Sequence, residues 1–416
     1  MPSEATHTIP TSLAGAPWLE QPETRAVLAS LAAAGHEARI VGGTVRNALL
    51  GEPVTDIDIA TTATPDEVMA AMSAAGLQAI PTGVSHGTVT VVANHVPFEV
   101  TTLREDVETF GRHARVAFTA DWAADAQRRD FTINALYCDG TGTISDPIGG
   151  LTDLAARRVR FIGDPQARIR EDALRILRFF RFHARYSPDS IDAEGLTACT
   201  KERHLLAQLS AERVRAELMK LLEAPGAARA IAVMATHGFI VEILGRAPRI
   251  GLLERLVAQD VEHQRHADPL LRLSALAVAV EEDRDHLAQR LRLSREEARN
   301  LVVIDPRLMA LVSLDDRGRR RALYSVGAHD WPRMAMVGAA AAETPATWNE
   351  LAALPQQWPV PKFPLAGRDA LALGLAPGPR IGALLAEIEA EWIAGDFATD
   401  AAGLRTRLAA RISESH

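Results

Sequence analysis

The stretch Val41-Gly42-Gly43-Thr44-Val45-Arg46, followed closely by Asp56-Ile57-Asp58-Ile59, constrains this chain more than any other feature. Alternating side chains on a strand put Asp56 and Asp58 on one face. Like charges that close repel unless a cation lies between them, and two carboxylates suit a hard, oxygen-liganded ion such as Mg²⁺. The paired glycines let backbone N–H groups approach a ligand and form an anion-binding concavity. Arg46 adds a planar donor matched to phosphate oxygens. Either half alone is common on turns and solvated surfaces; the order strand, Gly-Gly, helix, Asp-x-Asp strand within about twenty residues is not. A metal site facing a phosphate cradle implies chemistry on a nucleoside triphosphate.

A third carboxylate, Glu99, lies between Phe98 and Val100 in the strand-like run His95–Leu103. An unpaired acid in an apolar strand costs free energy. Glu99 either faces solvent from a half-exposed sheet or joins Asp56 and Asp58 around a second ion. Arg128-Arg129-Asp130-Phe131-Thr132-Ile133-Asn134 allows two readings equally, a structural Arg–Asp pair or a clamp on phosphate or ribose.

The second strong signal is Glu171-Asp172-Ala173-Leu174-Arg175-Ile176-Leu177-Arg178-Phe179-Phe180-Arg181. Nine arginines stand against three acids between Arg157 and Arg185, beside enough leucine and phenylalanine to bury much of a helix, so several arginines should be partly buried or line a cleft. A solvated helix with i,i+3 and i,i+4 ion pairs is the plainer alternative. Read as one helix from Arg170 to Tyr186, the segment puts Asp172 and Arg175 one turn apart, able to meet one planar ligand. Cytosine and adenine both offer an amino donor beside a ring-nitrogen acceptor, which an acid and a guanidinium satisfy. Uracil and guanine reverse that order, so the pair admits C and A and rejects U and G.

The chain's 416 residues suffice for several cores, and 47% hydrophobic and 24% charged residues are ordinary for a globular protein. A net charge of −8 argues against a generally nucleic-acid-coated surface but not against a local basic one. Cys138 and Cys199 are the only cysteines, spaced for neither a disulfide framework nor zinc, which fits a reducing cytoplasm. No apolar run reaches membrane-spanning length. Residues 1–20 lack a signal-peptide pattern and are expected to be a disordered leader. Strand-like runs at 38–41, 56–60, 87–92, 96–103 and 131–137, with helices at 23–35 and 65–75, make residues 21–150 a mixed α/β head. Beyond it helical patterns dominate: a neck over 151–225, a body over 226–353 and, past the Pro-rich 354–365 break, a tail over 354–416. A helix is expected over 294–304 from the capping-box spacing at Ser294. His329-Asp330 and the pair His263 and His266 are read as incidental.

Taken together, GGTVRNALLG…DIDIATTATP, TGVSHGTVTVV, FEVTTLRED, RRDFTINAL, DPIGGLTDL, REDALRILRFFRF and ERVRAEL resemble the bacterial class II tRNA nucleotidyltransferases, the CCA-adding enzymes, and their poly(A) polymerase relatives. The likeness spans about residues 38–222 and implies an α+β fold, a polymerase-β-like head with a small mixed sheet followed by an all-α neck, body and tail. It implies that Asp56 and Asp58 bind Mg²⁺, that Glu99 is the third catalytic carboxylate, and that Gly43, Arg46 and Arg129 contact nucleotide. Asp172 and Arg175 match the amino-acid template for the base, with Arg178 and Arg181 continuing the row. The expected reaction is template-independent addition of C, C and A to the tRNA 3′ end from CTP and ATP by a two-metal mechanism, with pyrophosphate released. Poly(A) polymerase, a CC-only or A-only enzyme, and a non-catalytic tRNA-binding protein are the alternatives. Residues 104–118 are expected to be a mobile loop that helps switch between C and A. Asn47 stands where the family has aspartate, which predicts a weaker hold on Arg46.

Overall fold

The computed structural model describes residues 9–110, 113–304, 306–342 and 346–414. They form two compact units, one running to Arg246 and the other beginning at Ala247.

The first unit is built on a seven-stranded mixed sheet. In chain order its strands are β1 (Ala38–Val41), β2 (Asp58–Thr61), β3 (Gln78–Gly83), β4 (Thr88–Ala93) and β5 (Val96–Thr102). A separate hairpin, β6 (Arg104–Phe110) and β7 (His113–Phe118), precedes β8 (Tyr137–Cys138) and β9 (Ile144–Ser145). The sheet order is β3-β4-β5-β2-β1-β8-β9. β2 and β5 run parallel in register, setting Asp58 beside Glu99. Strand β4 alternates, burying Val89, Val91 and Ala93. Its turn into β5 uses Asn94 and His95 at φ +46° and +68°, the backbone a tight two-residue hairpin needs. The helix Pro65–Ala74 starts on a capping box between Thr64 and Glu67.

Several expectations shift. Strand β2 begins at Asp58, so Asp56 precedes it rather than sharing it. Phe131–Tyr137 is not a strand; Thr132–Asn134 is a 3₁₀ turn and only Tyr137 and Cys138 join the sheet. Side chains there are drawn apart: Phe131 packs at 4.9 Å on Phe161, and the Thr132 hydroxyl donates to buried Asp153 at 2.6 Å. The expected loop 104–118 is a bulged two-stranded ribbon, with residues 111–112 outside the described residues. The leader expectation fails for residues 12–20. Leu13 N–H donates to Gly142 O at 2.9 Å, Ser12 bridges Thr143, and Trp18 and Leu19 are buried. Residues 1–8 lie outside the described residues.

The neck helix Leu174–Tyr186 buries Ile176, Leu177, Phe179, Phe180 and Phe182. Phe131, Phe161 and Phe179 interlock with Phe182, binding head to neck; each buried ring contributes on the order of 2 kcal/mol. The helix Ala227–Thr236 also joins this unit, since Gly226 N–H donates to Ala184 O and Phe239 packs on Phe180. The compact-unit boundary therefore falls twenty-one residues beyond the expected neck–body border, at Arg246.

The second unit is helical throughout its described residues, with two apolar cores. One surrounds Trp331 and Trp348; Gly338 is required there, because a Cβ would lie 2.2 Å from the Trp348 ring. The other gathers Leu384, Ile388, Trp392, Leu404 and Leu408, with Tyr324 packed against it. The helix expected over 294–304 stops at Arg299 despite its Ser294 cap, because Val302 N–H instead donates to the Ser274 hydroxyl. No described helix is long and apolar enough to cross a membrane. Cys138 and Cys199 are buried and free.

Candidate active site

A cavity of about 850 Å³ opens between the head motifs and the neck helix. Gly42, Gly43, Arg46, Asp58, Arg129, Asp172, Arg175, Arg178 and Arg181 all line it. Nine basic side chains face it against four acids, a local positive field in an acidic chain.

Its floor comes from the Gly-Gly turn. Gly42 adopts φ +71°, ψ −121°, a conformation closed to residues with a Cβ, and this bend starts the helix Gly43–Leu49 directly after β1. Arg46 on that helix is buried. Its guanidinium donates to Asn47 Oδ1 from Nε (3.2 Å) and Nη2 (2.9 Å) and to Asn134 Oδ1, and it stacks 4.3 Å over the Tyr186 ring. The expected weak hold on Arg46 is not what the geometry shows.

Asp58 borders the cavity half-buried, with Glu99 as its strand neighbour. Burial first, then the charge of Glu99 and, more weakly, of Asp56, raise its pKa, while Arg129 pulls the other way. Asp56 and Glu99 are exposed, and neither lines the cavity. Thr44 Oγ1 donates to the Asp56 carbonyl at 2.7 Å, tying the Asp-x-Asp segment to the glycine turn. Among the described residues no three His, Cys, Asp or Glu side chains are gathered into a metal cage. Mg²⁺ takes one or two carboxylates and completes its octahedron from water and substrate phosphates. The oxygen donor of Asp58, its proton held to higher pH by burial and by the neighbouring Glu99, fits such an ion.

Arg175, Arg178, Arg181 and Arg185 recur every three or four residues, so they form one stripe along the neck helix, opposite its apolar face. Each is anchored. Arg178 Nε donates to Asp130 Oδ2 at 2.7 Å, and Asn134 Nδ2 donates to Oδ1 at 2.9 Å. Burial pushes the Asp130 carboxyl up, but Arg178, Asn134 and the Phe131 N–H outweigh it and bring the pKa down to about 2. Arg181 Nε lies 2.8 Å from buried Glu217 as an ion contact rather than an aligned hydrogen bond. Arg129 and Arg128 share buried Asp125, which also accepts from the Tyr137 hydroxyl at 2.8 Å.

The single helix expected from Arg170 to Tyr186 is in fact two, Pro165–Glu171 and Leu174–Tyr186. Asp172 sits between them in extended conformation, and its Oδ1 accepts from Leu174 N–H at 3.1 Å. An acid here caps the second helix instead of continuing the first. Its Oδ2 accepts from Arg213 at 2.7 Å. Arg175 donates to the Arg168 carbonyl at 2.8 Å and to Glu171. Asp172 and Arg175 thus face one cavity from different elements.

Asp125, Asn134, Tyr186, Arg213 and Glu217 are site residues that sequence reasoning did not single out. ERVRAEL held a signal for two of them: Arg213 and Glu217 lie four apart, on one helix face turned to the arginine stripe.

A mixed sheet presenting a carboxylate and a glycine turn to an arginine-lined cavity defines a nucleotidyltransferase with a poly(A)-polymerase-type head. Residues 38–160 match the poly A polymerase head domain family, and residues 190–248 the family described as the probable RNA and SrmB-binding site of polymerase A. The mouse mitochondrial CCA tRNA nucleotidyltransferase 1 is 37% identical over 86% of this chain and 83% of its own. The CCA-adding enzyme of Levilactobacillus brevis is 33% identical over 89% and 93%. Among solved structures, the Bacillus stearothermophilus CCA-adding enzyme in complex with CTP superposes with a TM-score of 0.72 at 28% identity, covering 95% of this chain and 99% of that one. The chain belongs to the CCA tRNA nucleotidyltransferase family.

Proposed function

We propose that this enzyme adds C, C and A to tRNA 3′ ends from CTP and ATP in the cytoplasm, releasing pyrophosphate. The observation that carries the reading is one cavity shared by Asp58, the Gly42–Gly43 turn, the arginine stripe and the Asp172–Arg175 pair. The Gly43 amide, Arg46, Arg129, Arg178 and Arg181 neutralise the triphosphate from fixed positions, which suits charge that builds up as the α-phosphorus is attacked, while the Gly42 N–H is taken by the Leu136 carbonyl. Asp56 and Asp58 hold magnesium, and Glu99 beside Asp58 serves the reaction as the third carboxylate. Bound Mg²⁺ supplies charge stabilisation at the phosphates and acidifies the attacking 3′-hydroxyl. Asp172 accepts from the base amino group and Arg175 donates to the ring nitrogen, so C and A fit and U and G leave buried polar groups unpaired. Nucleotide choice then resides in protein side chains, without a nucleic-acid template.

The test is incorporation of each labelled nucleotide, singly and together, into tRNA ending at the discriminator base, −C or −CC. The reading requires C, C, then A, with arrest after the terminal A. Long A tails on unrelated RNA make the chain a poly(A) polymerase, addition of only CC or only A makes it a partial enzyme, and no incorporation with Mg²⁺ present leaves binding alone.

A further inference from the structure

Arg168 is buried, and neither it nor Glu171 lines the cavity. Arg168 is nevertheless bonded to both halves of the site. Its Nη2 donates to the Arg129 carbonyl at 2.8 Å and to the Arg128 carbonyl, the main chain behind two arginines whose side chains face the cavity. Its Nη1 donates to Glu171 Oε2, which also accepts from Arg175 Nη1 at 2.5 Å. The Arg168 carbonyl accepts from Arg175 Nη1 at 2.8 Å and, more loosely at 3.5 Å, from the Asp172 N–H. Local structure explains the convergence. The helix Pro165–Glu171 ends here, so the Arg168 carbonyl belongs to a last turn short of donors, and Arg175 from the next helix supplies one. The other polar tie between head and neck, Asp130 to Arg178, anchors the arginine stripe rather than the base-reading pair.

We propose that Arg168 is a positioning residue that fixes the spacing between the triphosphate arginines and the Asp172–Arg175 pair, and so sets base selectivity without touching the nucleotide. The proposal rests on the reading of the cavity as a nucleoside triphosphate site. A ligand that grips two subsites at once gains from both only when their separation matches its own. A displacement of about 1 Å can cost a hundredfold. A nucleotide in a cavity so displaced satisfies its phosphates or its base edge, but not both. The phosphates carry the charge and keep their partners, so the base contact is the one lost. C and A then lose affinity, while U and G, which gain little from the pair, lose almost none.

Arg168→Lys keeps the positive charge but replaces a planar fork with one ammonium, which cannot hold the two carbonyls and Glu171 together. Equilibrium binding of CTP, UTP and inorganic tripolyphosphate, each with Mg²⁺ and without tRNA, reads the two subsites separately. Arg168→Lys should weaken CTP by about ten- to a hundredfold, UTP by no more than about threefold, and tripolyphosphate not at all. Asp130→Asn, which frees an arginine of the stripe, should by contrast weaken all three. On an Arg175→Ala background, Arg168→Lys should change the CTP-to-UTP affinity ratio no further, because its effect runs through Arg175. Glu171→Gln removes the charge from the same path and should lower that ratio in part, which keeps the test open where Arg168→Lys does not fold. Equal weakening of CTP and tripolyphosphate overturns the proposal and leaves Arg168 a structural residue. An unchanged ratio in the variant that folds, or an additive effect on Arg175→Ala, overturns it too, and the cavity reading stands. If the native protein binds CTP no more tightly than UTP, both fall.

Discussion

Asp130→Asn removes the charge that holds Arg178. A buried carboxyl at about 2, against an ordinary 3.8, corresponds to roughly 2–3 kcal/mol of stability at neutral pH. Breaking a buried pair costs about 3–5 kcal/mol when the partner is left stranded. Here Arg178 is partly exposed and Glu217 lies 3.8 Å from its Nη1, so the lower end applies. A loss of about 2–3 kcal/mol in a unit of this size lowers its melting temperature by about 5–10 °C. The pH dependence identifies the cause. A depressed carboxyl pKa adds stability that is complete above the unfolded value and disappears as pH falls toward the folded one. The melting difference between native protein and Asp130→Asn should therefore be constant above about pH 5, shrink below pH 4 and nearly close by pH 2. Differential scanning calorimetry of both proteins across that range reads it directly. A gap as wide at pH 2.5 as at pH 7 would refute the ion-pair account and make packing the source. Untethering Arg178 should also raise KM for both CTP and ATP.

Asp58→Asn should abolish transfer, by about a thousandfold or more, while sparing tRNA affinity in filter binding. The same change removes a half-buried charge crowded by Glu99 and Asp56, so without Mg²⁺ it should leave the melting temperature unchanged or raise it. Because the Asp58 carboxyl holds its proton to higher pH than usual, Mg²⁺ competes with that proton, and titration calorimetry should show affinity falling as pH drops. Arg175→Ala or Asp172→Ala should erode discrimination against UTP and GTP by about ten- to a hundredfold in single-nucleotide incorporation, leaving phosphate chemistry in place. Gly42→Ala should lower stability by about 1–3 kcal/mol from backbone strain alone and slow transfer, read by denaturant melts and turnover together.

What was legible in the sequence follows from the range over which each interaction acts. The arginine stripe was readable because spacings of three and four in one helix translate directly into a face. The sheet strand at 96–102 was readable for the analogous reason, since its burial alternates with period two. The break at Asp172 was not, since an acid serves equally well on a solvated helix surface and as a cap between two helices, and only tertiary contact with Arg213 decides. Asn134 was hidden more deeply. Its partner Arg46 lies 88 residues away, and no local pattern encodes a contact of that separation. The 131–137 segment misled for a related reason: its hydrophobics alternate as in a strand, but Phe131 packs on Phe161 and the Thr132 hydroxyl is drawn to Asp153, leaving Thr132–Asn134 as a 3₁₀ turn.

The buried acids of this site settle a conflict between precision and charge. An arginine row dense enough to grip a triphosphate repels itself in the empty protein, and loose guanidinium groups would each lose rotamer freedom on binding. Asp125, Asp130 and Glu217 remove both difficulties by fixing the side chains before substrate arrives. Each carboxylate occupies only part of a five-donor fork, so the remaining N–H groups can still face the cavity. The acids remain outnumbered, which keeps the field positive where the phosphates would lie. Any variant that adds one carboxylate to this set should tighten the framework and loosen the ligand, whereas one that deletes an acid should do the reverse only until the freed arginine begins to wander.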